Sequence, residues 1–158
     1  MKFISNSNDL SKFLEKSIKK NIKIKSISTD TRTLKKDSLF IAIKGNIFNG
    51  NDYIEEAFKK GSCLAITDNK KFKDSKNKKV IYVNSSLLAL KRITKNIIKQ
   101  YEGNIIGITG SNGKTTTTKI IANSLKSSSS TLKNYNNEIG MPLSLSLIHI
   151  SEPTRPMN

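Results

Sequence analysis

Little in this sequence could cross-link, stiffen or anchor it. A single cysteine, Cys63, stands among 158 residues, which excludes an intramolecular disulfide and any metal cluster built on cysteines. Tryptophan is absent and proline occurs three times. No stretch approaches the roughly 18 apolar residues of a membrane span. Nor does Met1-Lys2-Phe3-Ile4-Ser5-Asn6 lead into the apolar segment of a secretion signal. A soluble cytosolic protein without membrane insertion is therefore expected. Acidic residues are scarce as well, and 12 Asp plus Glu against 28 Lys plus Arg leave a net charge of +16.

Arginine is the scarcity that decides how this charge is read. Only Arg32, Arg92 and Arg155 are arginines, and the other 25 basic residues are lysines. A specific reader of nucleic acid uses the planar arginine fork and interleaves aromatic stacking platforms; neither pattern is here. The densest stretch, residues 70–79, reads as a solvated loop between two strands. Seventeen Asn and 22 Ile accompany the lysines, a bias that suggests an AT-rich coding sequence rather than a nucleic-acid surface. No specific nucleic-acid partner is expected, although a modest anionic ligand fits the charge.

The length suggests one domain and part of a second. Leu10, Phe13, Leu14 and Ile18 fall at helical spacing over residues 8–20, with Ser7, Asn8 or Asp9 as N-cap. Strands are expected at 23–28, 38–43, 63–67 and 80–83, the last three as buried apolar runs. Residues 44–51, with two Gly and three Asn, are loop chemistry. Asp52 is placed to cap a helix running to Lys60 and ended by Gly61. Ser85 opens a helix to about Tyr101, with Leu88, Ile93, Ile97 and Ile98 on its apolar side. Gly103-Asn104 is the expected domain boundary, followed by a strand over 104–109 and an amphipathic helix over 114–126. Strands alternating with helices imply an α/β fold with a largely parallel sheet. Cys63, inside an apolar strand, is expected to be a core residue.

Between that strand and helix lies Thr109-Gly110-Ser111-Asn112-Gly113-Lys114-Thr115-Thr116. Glycines let backbone N–H groups converge on phosphate oxygens, and the helix N-terminus adds partial positive charge. Lys114 can reach β- and γ-phosphates, and the Thr115 hydroxyl can ligate Mg²⁺. The general phosphate-loop pattern has glycine where Ile108 stands, so this loop is a compact variant. The alternative is a plain glycine turn followed by a chance lysine.

This compact loop resembles the ATP site of the Mur ligase family, enzymes of bacterial cell-wall peptide synthesis. Two further stretches are similar to the family. Upstream these are Ser28-Thr29-Asp30-Thr31-Arg32, Asp37 to Gly45 and Phe48-Asn49-Gly50-Asn51-Asp52-Tyr53; downstream it is Asn136-Asn137-Glu138-Ile139-Gly140-Met141-Pro142-Leu143. The downstream stretch is similar to the branch that adds D-alanyl-D-alanine to a UDP-N-acetylmuramoyl tripeptide. The Thr-Thr-Pro run of the sister branch, which adds the third amino acid, is missing.

The resemblance implies a UDP-substrate domain over 1–102 and the opening of an ATP-binding P-loop domain over 103–145. It implies ATP and Mg²⁺ as cofactors, an acyl-phosphate intermediate, and Lys114 as a catalytic residue offsetting phosphoryl charge. Gly110, Ser111, Asn112, Gly113, Lys114, Thr115 and Thr116 would bind the ATP phosphates, with Thr115 on the metal. Thr31 and Arg32 would lie near the uridine diphosphate, Gly45, Asn46 and Ile47 would line the uracil pocket, and Asn136 and Asn137 would face the nucleotide sugar. Asn49 and Asn51 stand where the family more often carries Asp and His, and for Asn46, Asn49 and Asn51 turn chemistry stands as an alternative to ligand contact. The partners implied are UDP-N-acetylmuramoyl-peptide and D-alanyl-D-alanine, and a monomer is expected. Residues 146–158 do not continue the family pattern and resemble translated sequencing adaptor, so a truncated chain with a non-native tail, inactive as a ligase, is expected. His149 falls there and has no catalytic role. The competing readings are the sister ligase, a related folate polyglutamate ligase disfavoured by Thr29-Asp30-Thr31-Arg32, and a basic nucleic-acid-binding module.

Overall fold

The computed structural model describes residues 4, 6–18, 21–125, 128, 130, 139, 140, 143 and 144. The chain opens with helix α1 (Ser7–Leu14). Its N-cap is Asn6, one residue before the expected candidates. The Asn6 side chain accepts from the Asn8 and Asp9 amides at 2.9 and 3.2 Å, while Asp9 reaches back to the Asn6 amide. This reciprocal arrangement satisfies two end donors at once. The helix is shorter than the apolar spacing suggests because Glu15 turns left-handed, with φ 53°. Ile18 lies beyond it and still packs on the core from its flank.

Four strands follow: β1 (Ser26–Ser28), β2 (Ser38–Ile41), β3 (Ser62–Thr67) and β4 (Val80–Tyr82). They form one all-parallel sheet in the order β1-β2-β3-β4. Helix α2 (Ile54–Lys59) joins β2 to β3, entered through a 3-10 turn over Gly50–Tyr53. Asp52 lies inside that turn rather than capping the helix. The turn is capped by Asn49, whose side chain accepts from the Asn51 amide. Gly61, with φ +97°, ends the segment as its position predicts. Helix α3 (Ser86–Lys99) follows β4 and is capped by Ser85, as expected.

The alternation of side chains along the strands splits the core in two. Leu39, Ile41, Leu64 and Ile66 face one side, with Leu10 and Leu14 of α1 and Leu90, Ile93 and Ile97 of α3. Phe40, Ala42 and Ala65 face the other, with Ile54 and Ala57 of α2. Both faces are thus covered, which is why these strands read as unbroken apolar runs. Cys63 packs against the first cluster, and its thiol donates to the Ser38 carbonyl. Burial pushes that thiol's pKa up, which fits a core role.

Further expectations fail on this frame. Leu88 is 59% exposed and Ile98 39% exposed, because the buried stripe of α3 runs through Ser86, Ala89, Leu90, Ile93, Thr94 and Ile97. And no strand forms over 104–109. A strand needs a hydrogen-bonding neighbour, and none lies beside this segment among the described residues. Ile105 and Ile106 are exposed there. The helix after the loop, α4 (Lys114–Ser124), buries no residue among those described. Its expected apolar face carries Ile120, 60% exposed. Leu143 joins the first core cluster and Ile139 packs on it. The tail at 146–158 lies outside the described residues, as does His149.

Candidate functional site

Because all four strands run parallel and in sequence order, the segments leaving their C-terminal ends emerge along one edge of the sheet. That edge is where open α/β sheets bind ligands. It carries residues 29–33 after β1, 42–50 after β2, 68–69 after β3 and 83–86 after β4. Thr31 and Arg32 thus leave the same edge of the sheet as Gly45, Asn46 and Ile47.

The first segment is a tight turn built on Asp30. Its Oδ1 accepts from the Arg32 amide at 2.9 Å, and its carboxylate takes Arg32 Nε at 3.0 Å and Nη2 at 2.6 Å. The Arg32 hydrogen bonds hold the Asp30 carboxyl below its ordinary pKa, and Asp30 in turn raises that of Arg32. Arg32 is otherwise exposed, and its Nη1 edge is uncommitted among the described residues. Thr31 turns the other way. It is buried and lies against Glu56 of α2. Lys60 first and Thr31 second lower the Glu56 pKa, with Lys60 at 2.7 Å. Asp30 and Glu56 are thus the acidic partners that orient the two sequence-predicted residues. Glu56, 25 positions from Thr31, gave no local signal of this pairing.

The second segment is a hairpin-like loop. Gly45 donates to the Phe48 carbonyl at 2.8 Å, Lys44 bridges Asn49, and Gly50 donates to the Ile43 carbonyl at 2.9 Å. Its tip presents Ile47 at 86% and Phe48 at 68% exposure. Large apolar side chains held out on a closed loop suit a planar, partly apolar ligand face. At its base, a Cβ on Gly50 would stand 2.7 Å from the Ile43 backbone nitrogen and oxygen, so only glycine fits there. Asn51 is buried, and its side chain bonds Asn49 locally and Asp68 across the fold, which goes beyond turn chemistry.

The glycine-rich loop lies downstream of α3, outside this sheet. Gly110 and Gly113 take φ of +155° and +78°, conformations a side chain would strain. Gly113 is the N-cap of α4 and supplies no side-chain cap, so the first N–H groups of the helix are left to a ligand. Lys114 folds back over the loop, donating to the carbonyls of Gly110 and, at 3.2 Å, Ser111. Ser111, Asn112, Thr115 and Thr116 are exposed. Among the described residues no group of three His, Cys, Asp or Glu side chains could hold a metal. Thr115 therefore stands as a single hydroxyl, a fit for a cation carried in by phosphates rather than one held by protein alone. Asn136 and Asn137 lie outside the described residues, as does Glu138.

An all-parallel α/β sheet with its loops gathered on one edge, followed by a glycine loop that opens a helix, describes a class of nucleotide-handling proteins. Comparison with known proteins narrows the class. Residues 23–102 match the Mur ligase family, catalytic domain, and residues 108–153 match the Mur ligase middle domain. The chain belongs to the Mur ligase family. It is 38% identical over 125 residues to the UDP-N-acetylmuramoyl-tripeptide–D-alanyl-D-alanine ligase of Bacillus subtilis, covering 77% of this chain and 27% of that protein. It is 40% identical over 103 residues to the UDP-N-acetylmuramoyl-L-alanyl-D-glutamate–2,6-diaminopimelate ligase of Rickettsia prowazekii, covering 65% of this chain and 21% of that one. Among solved structures, a MurF ligase from Thermotoga maritima in complex with ADP superposes with a TM-score of 0.65 at 31% identity, over 77% of this chain and 28% of that one. MurF from Acinetobacter baumannii gives 0.73 at 25% identity, over 89% and 32%. The chain thus spans about a fifth to a third of the length of these relatives.

Proposed function

We propose that this chain is the substrate-binding and ATP-loop portion of a ligase that adds D-alanyl-D-alanine to a UDP-N-acetylmuramoyl tripeptide. Residues 1–102 form the substrate unit, and 103–145 open the ATP-binding unit. The observation that carries this reading is the reach of the similarity. Matches to D-alanyl-D-alanine ligases extend over 125 and 146 residues, whereas the diaminopimelate ligase match spans 103.

In this reading the edge after β1 and β2 holds the nucleotide end of the substrate. The open side of the Arg32 guanidinium contacts the diphosphate, and Gly45, Asn46 and Ile47 border the uracil. Asn136 and Asn137 meet the sugar. ATP is held by the backbone of 110–116, with Lys114 leaving its own loop carbonyls for the β- and γ-phosphates. Thr115 would be the residue that holds Mg²⁺, which would supply positive charge to offset the negative charge developing as the phosphoryl group passes to the substrate carboxylate. The acyl phosphate so formed is then open to the amine of D-alanyl-D-alanine, with phosphate leaving.

Isothermal titration of the chain with UDP-N-acetylmuramoyl tripeptide tests the substrate edge. Binding is expected, weakened about tenfold by Arg32→Ala, the size of one lost charge-assisted contact. No heat at millimolar ligand from a folded chain overturns the assignment. The 40% identity to a diaminopimelate ligase favours a second reading, in which the substrate peptide ends at D-glutamate. Tighter binding of the UDP-N-acetylmuramoyl dipeptide than of the tripeptide would decide for it.

A further inference from the structure

The loop at 44–49 is fastened to the rest of the sheet by a chain of side chains that the reaction does not use. Asn49 Oδ1 accepts from both the amide and the side-chain nitrogen of Asn51, at 3.2 and 2.9 Å. Asn51 is 5% exposed. Its Nδ2 also donates to Asp68 Oδ1 at 3.1 Å, and its Oδ1 accepts from the Thr67 hydroxyl at 2.5 Å. The Thr67 oxygen accepts from the Asn69 amide at 3.1 Å, and Asp68 Oδ2 accepts from the Ser86 amide at 3.1 Å. The stem of the loop is thereby joined to the C-terminal end of β3 and to the first turn of α3. Asn51 uses its side-chain oxygen and both amide hydrogens, so no polar atom of that side chain is left over.

We propose that Asn49 and Asn51, working with Thr67 and Asp68, are a clamp that sets the position of the 44–48 loop. They are positioning residues for the uridine end of the substrate. This rests on the assignment of that loop to the uracil above. The loop's own closure is thin: Gly45 to Phe48, the Lys44–Asn49 bridge and Gly50 to Ile43. Its tip residues Ile47 and Phe48 are exposed and bring no packing to hold it. Asn49 is the hinge between the two halves, because its backbone closes the loop while its side chain enters the clamp. Asn51 is buried because its partners are buried, not because it is apolar.

Hydrogen exchange separates this role from general stability. In Asn49→Ala, exchange at the Gly45 and Gly50 amides is expected to rise about tenfold, the order of one lost buried hydrogen bond. Amides of Leu39 and Ile93 should keep their rates. Asn49→Asp, which retains the accepting oxygen, should restore protection. Asn51→Ala should act in the same sense, and Asn49→Ala, at a half-exposed site, covers the case in which the buried variant does not fold. Uridine diphosphate serves as the binding probe, with affinity expected to fall about tenfold in Asn49→Ala and to return in Asn49→Asp. Unchanged exchange at Gly45 and Gly50, or an equal rise at every amide, overturns the clamp. Local loosening with unaltered affinity overturns the positioning role. A wild-type chain that does not bind uridine diphosphate overturns the uracil assignment and the positioning role with it, while the exchange pattern still decides the clamp.

Discussion

Asp30 shows how one carboxylate can organise a turn and tune an arginine together. It fixes the Arg32 amide and engages Nε and Nη2 of the guanidinium, leaving Nη1 uncommitted among the described residues. Asp30, Asp37 and Glu56 all have pKa values lowered by cationic neighbours: Arg32, Lys25 and Lys60 respectively. An acid whose folded pKa lies below its unfolded value binds more protons unfolded, so stability rises with pH across that interval. The contribution is whole above about pH 4 to 5, where these groups are ionised even when unfolded, and is lost as pH falls through the lowered folded values. Thermal melts from about pH 2.5 to 6 should show a falling transition temperature on the acid side. Asp30→Asn should flatten that slope, and an unchanged slope would deny Asp30 a part in it. The Asp30 effect was half visible in the sequence, since Asp-Thr-Arg places the acid two residues before the arginine. The Asn51 partners were not, because Thr67 and Asp68 lie 16 and 17 positions away, and such pairings become visible only after strands are laid side by side.

At the scale of elements, the strands were legible for a definite reason. A parallel sheet covered on both faces needs apolar side chains at successive positions, and Leu39-Phe40-Ile41-Ala42 and Leu64-Ala65-Ile66 supply them to both core clusters. Helix phase was harder to read. Leu88 is apolar and close to the correct spacing, yet Ala89 and Leu90 take the inward positions. Truncation separates the two cases. Ile93→Ala, at a fully buried position, should cost about 2–5 kcal/mol. Leu88→Ala, more than half exposed, should stay within about 0.5 kcal/mol. Urea unfolding of both variants checks the assignment, and equal losses would place Leu88 in the core after all. The glycine loop was readable from spacing because its two positive-φ glycines and the helix it opens are local features. The strand before it was not, since pairing is a property of two segments.

At the scale of the molecule, 28 basic side chains against 12 acidic ones leave a net charge of +16, which pairing within the chain does not reduce. Three ion pairs are formed among the described residues: Lys25–Asp37, Arg32–Asp30 and Lys60–Glu56. Exposed pairs of this kind contribute little, whereas excess charge of one sign opposes the compact state. Screening should therefore stabilise the protein. The melting temperature is expected to rise by several degrees between about 0.05 and 0.5 M NaCl, where the Debye length falls from beyond 10 Å to under 5 Å. A fall over the same range would show that the three pairs outweigh the repulsion.

The segment over 104–109 has a consequence of another kind. Asn104-Ile105-Ile106-Gly107-Ile108-Thr109 carries no charge and no proline. With Ile105 and Ile106 exposed and no backbone neighbour among the described residues, it has the composition of a segment that self-associates into stacked strands. By contrast the edge strands β1 and β4 are three residues long, too short to template another chain. Self-association of this protein should therefore begin at the approach to the glycine-rich loop and not at the sheet, and a charged residue in place of Ile106 would act as its gatekeeper.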